Sequence, residues 1–218
     1  IGTLPTVAET QAFLADNAND KRDKLVDHLL GRPEFVDYWT NKWGDLLLLS
    51  GERLRPKALE TYHAWIRKAV AENKPWDKFV YEIVTATGST HENGAANFYA
   101  LHQDPEIMAE TVSQAFMGLS INCAKCHNHP FEALTQTDYY GLAAFFSRVK
   151  LKGKQFGLDD ETVYLQRQGE VQHPLTRKNL EPVAFGFTPE KVAPEDDRRQ
   201  PLADWLTSKD NRYFARST

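Results

Sequence analysis

Cysteine is scarce in this chain: 218 residues contain two, at positions 123 and 126. A disulfide framework needs several pairs, so none is expected, and two thiols three residues apart must serve some other chemistry. Long apolar runs are missing as well. Nothing approaches the roughly 20 consecutive apolar residues that cross a bilayer, and Leu46 to Leu49 is a core segment at best. No membrane span is expected. Positive charge is not in excess, since 26 Lys+Arg stand against 30 Asp+Glu for a net charge of −4. Phosphate binding wants a basic surface, so nucleic acid is not an expected partner. The sequence also lacks a nucleophile elbow, a phosphate-binding loop and a His-Glu metal helix, and it has no internal repeat or low-complexity tract.

What is present is an ordinary globular composition, 41% hydrophobic and 26% charged, rich in rings with 12 Phe, 8 Tyr and 5 Trp. Large aromatic side chains are therefore expected to dominate the packing. The chain opens at Ile1 without Met and closes on Arg216-Ser217-Thr218 in what reads as the middle of an element. It is expected to be a processed or partial piece of a longer protein, in which a missing leader carries no information about compartment.

Helical signals fill the first 150 residues. Thr6-Val7-Ala8-Glu9 reads as a capping box opening a helix with Phe13 and Leu14. Leu25, Val26, Leu29 and Leu30 form a stripe that Gly31 stops and Pro33 restarts. Phe35 to Leu47, Leu59 to Val70 and Trp76 to Val84 carry further helical stripes. A loop follows from Gly88 to about Tyr99. Asp104-Pro105-Glu106 then starts a helix with Met108, Val112, Ala115, Phe116 and Leu119 on one face. Tyr139, Leu142, Ala143, Phe146 and Val149 mark the last clear stripe before position 150. Beyond it Thr162 to Gln166 alternates weakly, Pro174, Pro182, Pro189 and Pro194 interrupt the chain, and Leu202 to Leu206 resumes a helix. The fold expected is mostly α, a multi-helix domain holding one c-type haem, with a small irregular or β segment near residues 160–190.

The haem expectation rests on Cys123-Ala124-Lys125-Cys126-His127. Two thiols one helical turn apart can add to two vinyl groups of a porphyrin, and a His at i+4 then points at the iron. Cys-x-x-Cys-His is the attachment signature of c-type haem, and a proximal His is a usual axial ligand. Two cysteines and a His fall into this pattern by chance in roughly 1 case in 3,400. Two other uses compete: a tetrahedral site made by Cys123, Cys126, His127 and His129, and a thioredoxin-like redox pair, which the absence of a strand-helix-strand context disfavours. Haem is expected to lodge between the helix ending near Leu119 and the one from Asp138 to Phe146, with Tyr139, Tyr140 and Phe146 as candidate walls.

The sixth iron ligand is not given by the pattern. His102, Met117 and His129 are the candidates, although Met108 and Met117 fall on a core-facing stripe and His129 is close in sequence to His127. Electron transfer to a redox partner domain or protein is the expected use. The alternatives are a haem enzyme or gas sensor with an open iron position, and a structural Cys2His2 metal module.

Three stretches resemble a known family: Ile1-Gly2-Thr3-Leu4-Pro5-Thr6 with Lys21-Arg22 and Leu25-Val26-Asp27; Ala96-Asn97-Phe98-Tyr99 with Asp104-Pro105; and Cys123 through Phe131 followed by Thr135 to Phe146. Gly169-Glu170-Val171 and His173-Pro174 add to the likeness. The chain resembles the planctomycete-type cytochrome-c-like domain, second type, of large secreted bacterial proteins. Its end, with Arg198-Arg199, Leu202 to Ser208, Asp210-Asn211 and Tyr213-Phe214-Ala215-Arg216, is similar to the opening of a planctomycete-specific domain that commonly follows. The resemblance implies a haem domain over 1–194 and the start of that second domain over 195–218. It also implies haem c on Cys123 and Cys126, an exported protein in the periplasm or another extracytoplasmic space, and a site role for His129 within His129-Pro130-Phe131.

Overall fold

The computed structural model describes residues 1–153, 159–190, 192–193 and 195–214; Pro194, Ala215, Arg216, Ser217 and Thr218, which the sequence reading uses, lie outside the described residues. Nine α-helices occur among them. The first three are α1 (Val7–Ala15), α2 (Lys21–Leu30) and α3 (Pro33–Leu46). Next come α4 (Pro56–Ala71), α5 (Trp76–Thr85), α6 (Asn97–Leu101) and α7 (Pro105–Met117), and the series closes with α8 (Gln136–Ala144) and α9 (Arg199–Leu206). No helix among the described residues is long and apolar enough to cross a membrane.

Local chemistry sets the helix ends where the sequence placed them. Thr6 and Glu9 close the capping box of α1, with Glu9 N donating to Thr6 Oγ1 at 3.2 Å and Thr6 N to Glu9 Oε2 at 2.6 Å. Proline occupies the first turn of α3, α4 and α7, where its missing N–H costs nothing. The two N-terminal helices do less packing than their stripes promised. Neither α1 nor α2 contains a buried residue, and Leu25, Val26 and Leu30 stay exposed.

The core is built mainly from α4 onward, with Leu47 and Leu54 joining it from the segment just before. Tyr62 and Ile66 of α4, Val80 and Ile83 of α5, Phe98 and Tyr99 of α6, Val112 and Phe116 of α7, Leu142 of α8 and Phe146 in the turn after it are buried in one apolar cluster. Leu202, Ala203 and Leu206 of α9 belong to it too, with α9 packed on α5. Fully buried Arg199 bolts these two helices together. Its guanidinium donates to Asp197 Oδ1 and Oδ2, to Ala86 O at 2.8 Å and to Thr85 O at 3.3 Å, and lies 4.9 Å from the Tyr99 ring centre.

Three antiparallel strands pair in the order β1 (Gly88–Ser89), β3 (Thr162–Leu165), β2 (Val149–Lys152), and β4 (Val171–Gln172) forms a hairpin with β5 (Asn179–Leu180); β3, β4 and β5 fall in the segment expected near 160–190, whereas β1 and β2 precede it. Several readings need correction: Leu119 and Phe146, expected on helical faces, lie just past α7 and α8, which end at Met117 and Ala144. Val149 was placed on a helical stripe, but α8 ends at Ala144 and Val149 opens β2, opposite Leu165. The stretch 88–99, read as a loop, holds β1 and the start of α6, and Ala95 to Tyr99 are buried. Its Gly content misled because Gly94 serves close packing: a Cβ there would meet Trp65 Cβ of α4 at 2.2 Å.

Candidate functional site

Helices α7 and α8 pack on each other, and the cysteines sit in the connection between them. Asp104 Oδ1 accepts from Glu106 N at 2.8 Å to start α7, and Gly118, at φ 64°, ends it. The chain then makes a 3₁₀ turn over Asn122–Lys125, where a regular helical turn was expected. Cys123 O still accepts from both Cys126 N at 3.3 Å and His127 N at 3.4 Å, so the spacing of the pattern keeps its helical meaning. Ile121 and Ala124 are fully buried. With those two side chains inward, Cys123, Lys125, Cys126 and His127 are on the solvent side, and both thiols are free and exposed.

Two side chains of α8 hold this turn by one atom. The Lys125 carbonyl accepts from Gln136 Nε2 at 2.7 Å and from the Tyr140 hydroxyl at 3.3 Å. The same residue's ammonium pairs with Glu106 Oε2 of α7 at 2.8 Å, and that bond raises its pKa. Tyr139 donates to Glu110 Oε1 of α7 at 2.5 Å, its phenol pushed up by burial first and by the carboxylate second. Sequence reasoning missed Gln136, Glu106 and Glu110. The i, i+4 spacing of Gln136 and Tyr140, just after the Thr135-x-x-Asp138 cap, was the available signal.

The histidines differ in which ring nitrogen keeps a lone pair. His127 Nδ1 lies 2.7 Å from Asn128 O. A carbonyl only accepts, so Nδ1 carries the proton and Nε2 is left as a donor to a metal. His129 is the reverse. Its Nδ1 accepts from Phe131 N at 3.2 Å and Glu132 N at 3.0 Å, so in the neutral ring the proton is on Nε2. His173, in the second His-Pro turn, is built alike, with Leu175 N at 3.2 Å and Thr176 N at 3.4 Å from Nδ1. His102 is buried and donates from Nε2 to Leu47 O at 3.1 Å; burial holds its pKa down at about 4.

The other candidates are placed as follows. Met117 is buried in the core cluster with Met108. Tyr139, Tyr140 and Phe146, expected as pocket walls, are all buried; Tyr140 reaches the turn through its hydroxyl, while Phe146 packs against Tyr99 with ring centres 6.5 Å apart. Phe131, by contrast, is 91% exposed beside His129. Among the described residues no group of three or more His, Cys, Asp or Glu side chains is arranged to hold a metal ion. The Cys123, Cys126, His127, His129 set thus does not form a tetrahedral site here.

The residues present fit haem attachment in their donor chemistry: two accessible thiols at the right spacing and one imidazole with its Nε2 lone pair free. The PSCyt2 family, described as "Protein of unknown function (DUF1549)", matches residues 1–151, more than half of the 218. The chain belongs to this family. The match takes in Cys123 to His127 and both helices that frame them, and it ends within β2, short of the likeness noted at Gly169–Val171, His173-Pro174 and 198–216. No curated protein and no solved structure matches the chain.

Proposed function

We propose that this PSCyt2 domain carries one haem c on Cys123 and Cys126, with His127 as axial iron ligand, and serves electron transfer in an exported bacterial protein. The observation that carries the reading is the Cys-x-x-Cys-His turn, with its thiols on the surface and the His127 ring held by Asn128 O in the tautomer that ligates through Nε2. Cys123 and Cys126 would hold the haem as thioethers to its two vinyl groups, each S–H adding across one vinyl, so the attachment would be redox-neutral. Haem supplies a one-electron iron couple when bound. The protein's part is to hold the turn through Gln136 and Tyr140 and to orient the imidazole.

The pyridine haemochrome spectrum of the protein matured in an exporting bacterium tests this. A band typical of two thioether links is expected, together with a reversible one-electron couple on potentiometric titration. Colourless protein loaded with zinc would overturn the haem reading in favour of a structural metal module.

A second reading, an open sixth position that binds a small ligand, is favoured by the ring tautomers. His102 Nε2 donates to Leu47 O, and His129, whose Nδ1 accepts from two backbone N–H groups, carries its proton on Nε2 in the neutral ring. Carbon monoxide is expected to shift the ferrous spectrum under this reading; an unchanged spectrum leaves the six-coordinate electron carrier.

A further inference from the structure

One loop construction occurs twice in the chain. His129-Pro130-Phe131 opens a loop that the His129 N–H closes by donating to Leu134 O at 2.8 Å. His173-Pro174-Leu175 opens another, which the His173 N–H closes at the same spacing by donating to Lys178 O at 2.9 Å. Inside each loop the imidazole Nδ1 accepts two further backbone N–H groups. They come from Phe131 and Glu132 in the first loop and from Leu175 and Thr176 in the second. Each histidine is thereby a strut within its own loop. What the loops hold outward is the residue after the proline, and both are apolar: Phe131 is 91% and Leu175 79% exposed. Scattered exposed apolar residues need no explanation, but a matched pair on one construction does.

Both loops flank the cysteine turn. The first follows it directly in the chain and runs into Thr135, the cap of α8. The second is the tip of the β4–β5 hairpin, which packs on α8. The His173 ring lies 6.2 Å from the Tyr140 ring, centre to centre, and the Tyr140 hydroxyl donates to the Lys125 carbonyl at 3.3 Å. A single tyrosine ring therefore separates the His173 loop from the turn that carries the thiols. A porphyrin joined to Cys123 and Cys126 is tethered within reach of both loops, and its wide apolar faces need cover from water.

We propose that Phe131 and Leu175 are two apolar jaws of the haem site and pack on the porphyrin once it is attached, an assignment that rests on the haem reading. Radiolytic hydroxyl-radical footprinting tests it on two forms of the full chain. One is haem-bearing protein matured in an exporting bacterium; the other is a Cys123→Ser, Cys126→Ser double variant, altered only at exposed thiols. Labelling of Phe131 and Leu175 is expected to fall about threefold or more in the haem-bearing form, because covered side chains lose contact with water. Leu4 and Leu14, also exposed but carried by the N-terminal segment and α1, should keep theirs. Phe131→Ser and Leu175→Ser should each lower the melting temperature of the haem-bearing form by about 3–6 °C and leave the haem-free form within about 1 °C. Haem attached with the labelling of either residue unchanged overturns the jaws and leaves the haem reading standing, whereas a chain that attaches no haem overturns both. A fall shared by Leu4 and Leu14 also counts against the jaws, since it reports a change of the whole surface. If the double variant does not fold, the two serine variants decide on haem-bearing protein alone, and unchanged melting temperatures overturn the proposal.

Discussion

The carbonyl of Lys125 governs how the cysteine turn presents its thiols. It lies between the two cysteines and takes hydrogen bonds from Gln136 and Tyr140, so it fixes the position of Cys126 and His127 relative to Cys123. Gln136→Leu keeps the side chain's bulk and removes its donor. It is expected to cost about 1 kcal/mol of stability and to raise the fraction of haem joined through one sulfur. The second effect appears as a shift of the pyridine haemochrome band to longer wavelength, and restoring Gln reverses it. A band identical to wild type, at the same loss of stability, would reduce Gln136 to ordinary packing. His102 offers a pH test at the same scale. Burial lowers its folded pKa to about 4 from the ordinary 6.5. Between those values the unfolded chain takes up a proton that the folded chain refuses, so stability present above pH 6.5 is lost as pH falls toward 4. The slope is about 1.4 kcal/mol per pH unit, roughly 3 kcal/mol in all. Urea titrations at pH 7 and pH 4.5 should show a smaller difference for His102→Gln than for wild type; equal differences would place the titration elsewhere.

Among the elements, α9 depends most on a single polar anchor. Arg199→Met keeps length and apolar volume but leaves Asp197 and the Ala86 and Thr85 carbonyls without their donor. Removing one partner of a buried ion pair costs about 3–5 kcal/mol, and a guanidinium chloride midpoint within error of wild type would show that α9 is held by its leucines alone. Element boundaries with a chemical marker were legible in the sequence: Thr6 with Glu9 for α1, Gly31 and Pro33 between α2 and α3, Asp104-Pro105 for α7. Those set by tertiary contact were not. Gly94 looks like loop punctuation until α4 lies against it, and the α2 stripe looks like core although only Leu29 of it is even half-buried. At the site, Cys123, Cys126 and His127 stand out in the sequence because their spacing is itself the signal. Gln136 does not, because it acts on a backbone oxygen that every residue possesses. The His129 ring was offered as an iron ligand on its position, yet two backbone N–H groups on Nδ1 decide its tautomer, and no sequence pattern displays them.

At the scale of the whole molecule, the resemblance drew a boundary at residue 194, whereas the apolar core runs on into the segment after it. Leu202, Ala203 and Leu206 are fully buried in the cluster that α4 to α8 build, and Phe214 stacks on Trp76 with ring centres 6.3 Å apart. Burying one leucine contributes about 1.5–3 kcal/mol, so two leucines are a substantial part of the roughly 5–15 kcal/mol that holds a typical domain folded. Strand β3 makes the chain after residue 151 equally necessary, since it pairs with β1 on one side and β2 on the other; a piece ending where the family match ends would keep both outer strands and lose the one between them. A chain of residues 1–194 is therefore expected to lose its cooperative melt and to bind a hydrophobic dye, while residues 1–214 melt in one transition. The cysteine turn supplies the functional side of the same experiment, because α7 and α8 pack against that shared core. Haem attachment in the 1–194 chain should fall along with the melt. A 1–194 protein that unfolds in a single transition within a few degrees of the longer chain would show that the first 194 residues are an independent domain and that α9 merely rests on it.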